Sequence, residues 1–360
     1  CGCSPEDADD HRCEGQKPQK VDLPGGAQVA LRYHGLVSLH TILDRRLLII
    51  SGKGGVGKTT VAAALGVLAS RRGLKVLIAE VEGKGTLPGL FEAPSLPPQP
   101  EEIRPGLWGI NISPEQALRE YFETQLGMRR IARPLVSSQL VYYVTHAAPG
   151  LRDILMLGKL WYTATRERAF DLIVLDTPAA GHTVSMLRSP EGFLQAVPFG
   201  PLAGHARQVL DWLRDPEQVS IHLVTLAEEM PVNETVETTK LLEDRLGMDV
   251  SGVFVNMLYP PPAEDPELTA AFDSLTGHEE LTKAAEAAGK TLDRKAAESL
   301  FEYASFYRAR RAIQSRHRTV LDRKVSHTAP LVELPFLFRD TFGEKEVQLI
   351  ADVIEGQVDR

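Results

Sequence analysis

Ser51-Gly52-Lys53-Gly54-Gly55-Val56-Gly57-Lys58-Thr59-Thr60 is the stretch that decides the fold. Gly52, Gly57, Lys58 and Thr59 satisfy the spacing G-x-x-x-x-G-K-[ST]. The apolar run Leu47-Leu48-Ile49-Ile50 before it reads as a buried strand, and Val61–Leu68 after it reads as a helix. Strand, glycine-rich loop and helix N-terminus in that order make an anion cradle. From Gly52 through Gly54, Gly55, Val56 and Gly57 to Thr60, backbone N–H groups can turn inward on phosphates. Lys58 is expected to reach the β- and γ-phosphates of a nucleoside triphosphate, and the Thr59 hydroxyl to hold Mg²⁺.

Outward from this loop, strand-like and helix-like segments alternate from Leu43 onward. That pattern predicts an α/β fold, a doubly wound and mainly parallel sheet. The expected strands are Arg46–Ser51, Lys75–Val81, Leu107–Ile112, Phe170–Asp176, Ser220–Ala227, Ser251–Met257 and Pro330–Leu334. Several are unbroken runs of Val, Ile and Leu, as expected for strands covered on both faces. The Pro-rich stretch 93–105 reads as an extended loop. Residues 114–168 and about 185–218 read as a helical insertion. Its apolar positions, Leu155 and Trp161 among them, either pack on one another or line a groove for an apolar client or partner helix.

Ligands of such sheets bind beyond the carboxyl ends of the strands. The second strand ends in Glu80-Val81-Glu82, where a water-orienting or γ-phosphate-sensing carboxylate belongs. Four apolar residues, Leu172–Leu175, run into Asp176, which is expected to organise Mg²⁺ together with Thr59. Gly181 is read as the pivot of a loop that responds to loss of the γ-phosphate, and His182 as a phosphate sensor, a dimer-interface group or a surface histidine. Asn256 sits where an amide can read the adenine edge, or cap a turn. Pro335, within Leu334-Pro335-Phe336, is expected to wall the base from the other side.

Composition narrows the partners. The chain has 360 residues, 43% of them hydrophobic, and a net charge of −8, which argues against a generic nucleic-acid binder. A basic cluster from Arg308 to Lys324 reads as a solvated helix face by default, with an anionic-membrane or nucleic-acid contact as the alternative. No apolar run approaches the ~18 residues of a membrane span. The C-terminal helix, Glu344–Gln357, carries too many acidic residues for a basic membrane-binding face. Cysteines occur only at Cys1, Cys3 and Cys13. Residues 1–42 are expected to be a disordered or non-native extension and 43–360 the folded domain. A cysteine-free core and the absence of a signal-peptide pattern are the features expected of a cytoplasmic protein.

Lys53, a second lysine directly after the first glycine in GKGGVGKTT, resembles the deviant Walker A class. Together with DTPAAGHT (176–183), Pro149–Asp153 and Val255-Asn256, it makes the chain resemble the ArsA-type ATPases over most of 45–340. That group holds arsenical-pump ATPases and tail-anchored-protein targeting ATPases. EVEG (80–83) and PVNET (231–235) look closest to its bacterial paralogues. The resemblance implies ATP and Mg²⁺ as cofactors, hydrolysis, and a homodimer or a heterodimer with a paralogue that opens and closes. Lys53 would contact the partner's phosphates, and Glu82 would stand for the family's water-positioning aspartate. No cysteine follows position 13, so no soft thiolate site for arsenite is expected, and no CxxC for an intersubunit zinc. The resemblance leaves the client open: an apolar protein segment or a membrane partner. A slowly hydrolysing targeting chaperone and a ParA/MinD-like positioning ATPase are the alternatives.

Overall fold

The computed structural model describes residues 19–22, 28–31, 42–81, 85–124, 150–325, 327 and 329–358. Near the N-terminus β1 (Gln19–Asp22) and β2 (Gln28–Leu31) pair antiparallel with each other, apart from the main sheet. The main sheet has eight strands. In chain order they are β3 (Leu47–Gly52), β4 (Val76–Val81), β5 (Glu101–Arg104), β6 (Leu107–Ile112), β7 (Leu172–Asp176), β8 (Val219–Leu226), β9 (Val250–Leu258) and β10 (Leu331–Pro335). Their spatial order is β10-β9-β8-β3-β7-β4-β6-β5, and all neighbours are parallel except the β5–β6 pair at one edge. All seven expected strands form. β3 lies in the middle, with later strands added on both sides of it, so its carboxyl end is the topological switch point.

The edge strand β5 corrects the loop expected over 93–105. Its sequence, Glu101-Glu102-Ile103-Arg104, is charged and exposed or half-buried, and prolines precede and follow it. Those are properties that protect a sheet edge from further pairing, and they hide it from a search for apolar runs.

Helix α1 (Lys58–Arg71) leaves the β3 loop and is buried from Val61 to Ala69. Alanines 62–64 let it sit close to the sheet, while α11 (Glu344–Val358) covers its outer side. Fully buried aliphatics such as Leu65 and Leu68 each contribute roughly 1.5–3 kcal/mol. The exposed pairs Arg71–Asp352 and Arg72–Glu355, at 2.5 and 2.9 Å, add little. The short α2 (Thr86–Leu90) follows β4. Of residues 114–168, the described ones form α3 (Pro114–Thr124) and α4 (Leu151–Tyr162), followed by a π turn at Thr163–Glu167. α5 (Ala180–Ala196) and α6 (Pro201–Leu213) pack beside them.

Leu155 packs with Ala117, Leu118 and Leu151, and Trp161 joins the core on the sheet's second face. Both side chains are buried; Trp161 packs inward, while Leu155 also lines a cavity of about 240 Å³ with Ala117, Tyr121, Ile154 and His205. Phe122 and residues 126–143 of the same expected apolar set fall outside the described side chains.

α7 (Glu229–Leu246) follows β8. Then come α8 (Pro266–Ser274), α9 (His278–Ala287) and the long α10 (Arg294–Val325). The basic residues late in α10 largely serve its docking. Arg310 pairs with Glu228 at 2.9 Å, Arg311 with Asp273 at 3.1 Å and Arg318 with Glu333 at 2.6 Å.

Candidate nucleotide site

The loop takes its shape from two glycines that no other residue replaces without strain. Gly52 has φ +146°, and a Cβ there would lie 2.1 Å from the Val224 carbonyl oxygen of the adjacent strand. Gly57 has φ +93°, and a Cβ there would lie 2.3 Å from the Asn256 amide nitrogen. A left-handed residue directly before α1 turns the chain so that the helix's first N–H groups meet the loop.

A cavity of about 680 Å³ opens at this end of the sheet. Gly54, Gly55, Gly57, Lys58, Thr59 and Thr60 line it from the loop. Glu80 comes from the end of β4, Asp176 from the end of β7, and His182 from the first turn of α5. Lys58 Nζ donates to the Lys53 carbonyl at 3.0 Å, which holds its ammonium over the loop. The Thr59 hydroxyl donates to Asp176 Oδ2 at 2.6 Å.

Asp176 is only 8% exposed, and its Oδ1 is buried without a hydrogen-bond partner. Burial raises its pKa above the ordinary carboxylate value, against the lowering by the Thr59 hydroxyl and the Lys58 charge. Glu80 is equally secluded and accepts the Leu87 N–H at 3.1 Å. Its pKa is also raised, first by burial and then by the neighbouring Asp176, although the Leu87 bond opposes this. Hydroxyl and carboxylate oxygens around an unsatisfied buried oxygen suit a hard cation such as Mg²⁺.

A line of buried hydroxyls joins the loop strand to α5, and the sequence did not advertise it. Ser51 Oγ donates to Thr183 Oγ1 at 3.0 Å, Thr183 to Thr177 Oγ1 at 2.7 Å, and Thr177 to the Ile50 carbonyl at 2.9 Å. The expected pivoting loop is corrected here. Gly181, His182 and Thr183 already lie in the first turn of α5, which starts at Ala180. The helix begins so early because the buried Thr183 hydroxyl is tied to the strand ends.

Other expected residues sit elsewhere. Lys53 is outside the cavity lining, and its Nζ pairs with Glu234 Oε2 of α7 at 3.1 Å. Asn256 is buried on the other side of the loop. Its Nδ2 donates to the Val56 carbonyl at 2.9 Å and its Oδ1 accepts the Met257 N–H at 2.9 Å. In this state the amide braces the loop.

Gln314 of α10 fixes the turn beyond Asn256. It accepts the Tyr259 N–H and donates to the Met257 carbonyl, both at 2.8 Å. Pro335 pairs in register with Leu258, and the adjacent Phe336 ring stacks on Tyr259 with centroids 5.3 Å apart. Asn256 and Pro335 therefore share one corner of the sheet end, away from the lining of the phosphate cavity. Glu82 lies outside the described residues. Glu234 and Gln314 could not be singled out from sequence, since polar residues within helices carry no spacing signal for a partner so distant in the chain.

A parallel sheet, a loop of this form at its switch point, and a carboxylate across from the loop's threonine define a P-loop nucleotide hydrolase of the α/β class. Residues 45–197 match the ArsA_ATPase family model, described as anion-transporting ATPase. ATPase BagA of Mycobacterium tuberculosis is 34% identical over 236 residues, spanning 63% of this chain and 69% of that protein. The arsenical pump-driving ATPases of Acidiphilium multivorum and Escherichia coli are 26% and 25% identical over 247 residues. Each alignment spans 62% of this chain and 41% of the relative. The chain belongs to the ArsA ATPase family, and it is an ATPase. Among the described residues no helix is long and apolar enough to cross a membrane.

Proposed function

We propose that the protein hydrolyses Mg²⁺-bound ATP in the β3–α1 loop, and that loss of the γ-phosphate is passed to α5 to open a dimer. The observation that carries this is the hydrogen-bonded line Ser51–Thr183–Thr177–Ile50. It ties the phosphate loop's strand to the first turn of the helix that follows Asp176. A group that moves on phosphate loss must pull that turn with it.

Lys58 neutralises phosphate charge in place. The backbone N–H groups of Gly54 to Thr60 orient the phosphates, and catalysis rests on positioning and electrostatics. Thr59 and Asp176 would hold Mg²⁺, which supplies charge neutralisation of the phosphates when bound. The orphaned Asp176 Oδ1 supports that assignment. Glu82 orients the attacking water. Asn256 and Pro335 flank the adenine, and reaching the base requires the amide to use its second N–H or to release Val56.

In a homodimer or a heterodimer with a paralogue, Lys53 leaves Glu234 and reaches the partner's phosphates. Its exchangeable, half-exposed ion pair supports such a swap. The client is an apolar protein segment or a membrane partner. The most exposed apolar side chains among the described residues, Phe199 above all, offer surface for it. Light scattering after size exclusion tests the dimer. Wild type is expected to double in mass with ATP, and Lys53→Ala to stay at its nucleotide-free mass while still binding ATP. Equal behaviour of the two proteins would remove Lys53 from the interface. Capture of co-purifying protein on ATP-trapped Glu82→Gln tests the client.

A further inference from the structure

Glu80 is the acidic group that the phosphate loop alone does not explain. It stands directly opposite Asp176 in the register of the parallel strands β4 and β7. Neighbouring strands run about 4.8 Å apart, and residues in register leave the sheet on the same side. Both carboxylates line the cavity that holds Lys58 and Thr59. Glu80 is 4% exposed and Asp176 8%, so each carboxylate meets solvent only through the cavity. Their described hydrogen bonds are one from Leu87 N–H and one from the Thr59 hydroxyl, and Asp176 Oδ1 has none.

Two buried carboxylates side by side are unfavourable when both are ionised unless a cation joins them, and only one lysine, Lys58, lines the same cavity. Mg²⁺ takes one or two carboxylates together with substrate phosphates and water. We infer that Glu80 is a second carboxylate of the divalent-cation site, facing the ion together with Asp176 and Thr59. This rests on the reading of Thr59 and Asp176 as the Mg²⁺ holders. Its consequence is a nucleotide site more dependent on metal than one acid would make it. Without the cation, Glu80 repels the phosphates; with it, Glu80 strengthens their attachment.

A purely structural role for Glu80 also exists, as acceptor for the Leu87 N–H in the first turns of α2. Glu80→Gln keeps an acceptor for that N–H and removes only the charge, so it separates the two roles. The experiment titrates Mn²⁺ by electron paramagnetic resonance into the full chain with ADP, for wild type, E80Q, E80D and D176N. ADP affinity is measured in parallel with the metal chelated. Loss of one close charge is expected to weaken Mn²⁺ at least about tenfold in E80Q. E80D should retain most of the binding, and metal-free ADP affinity should hold or rise in E80Q. If E80Q keeps Mn²⁺ affinity while D176N loses it, Glu80 is only a cap for α2. An equal loss of metal-bound and metal-free affinity in E80Q overturns the inference as general damage to the site. If D176N also binds Mn²⁺ as wild type does, the underlying cation assignment itself falls.

Discussion

Replacing Thr59 by valine keeps the shape of the side chain and removes the hydroxyl that donates to Asp176 Oδ2 at 2.6 Å. Asp176 is nine-tenths buried and its other oxygen has no partner. T59V therefore leaves a buried carboxylate without a described hydrogen bond. A hydrogen bond to a charged group contributes roughly 1.5–3 kcal/mol. A chain of 360 residues unfolds with an entropy of roughly 0.8 kcal/mol/K, so the melting temperature should fall by about 2–4 °C.

The pH dependence of that loss has a definite sign. The Asp176 pKa is already raised by burial, and the Thr59 hydroxyl is the largest influence holding it down. Removing the hydroxyl raises it further. A carboxyl with a raised native pKa costs stability while ionised and recovers it on protonation. The T59V deficit should therefore be full above the raised native pKa and shrink as pH falls toward the ordinary aspartate value. Differential scanning calorimetry with metal chelated, at neutral and mildly acidic pH, measures both effects. An unchanged melting temperature, or a deficit that grows on acidification, would refute the role given to this hydrogen bond.

Two further outcomes follow from burial and backbone geometry. His222 is fully buried and its pKa is pushed down to about 4, so it stays neutral in the native state. Between its ordinary value and about 4 the unfolded chain binds the extra proton, and stability should drop by ~3 kcal/mol across that window. His222→Asn should flatten this part of a stability-against-pH curve, and an unaltered slope would exclude the histidine as its source. Gly52→Ala places a Cβ 2.1 Å from the Val224 carbonyl at φ +146°. Backbone strain and overpacking together should cost roughly 2–6 kcal/mol, read as a lowered urea midpoint, and a wild-type midpoint would mean that the strands part more easily than their pairing indicates.

Much of the sheet was legible because burial on both faces forces unbroken apolar strands. Each such run ends at a residue that breaks it: Gly52, Asp176 and Asn256. The loop was legible for a related reason, since phosphate contact demands glycines at fixed spacing followed by Lys58 and Thr59. β5 was not legible, because an edge strand is stabilised by one neighbour and keeps charge on its exposed side. The start of α5 is not legible either, because Gly181 has the character of a loop residue, whereas the buried Thr183 hydroxyl draws the helix forward. Side-chain pairings were the least legible. Nothing in the chain announces that Asn256 braces Val56 across 200 residues, or that Lys53 meets Glu234. The second carboxylate was visible as a residue, but its position opposite Asp176 came only from strand register.

The most direct measurement is the Mg²⁺-dependent ATP turnover of the full chain, with and without Lys58→Ala. Lys58 lines the phosphate cavity and is held over the loop by the Lys53 carbonyl. The variant leaves the fold's buried core untouched, so it should melt as wild type does and yet lose turnover by at least about a thousandfold. Unchanged hydrolysis by a folded K58A protein would show that ATP is cleaved somewhere other than this loop.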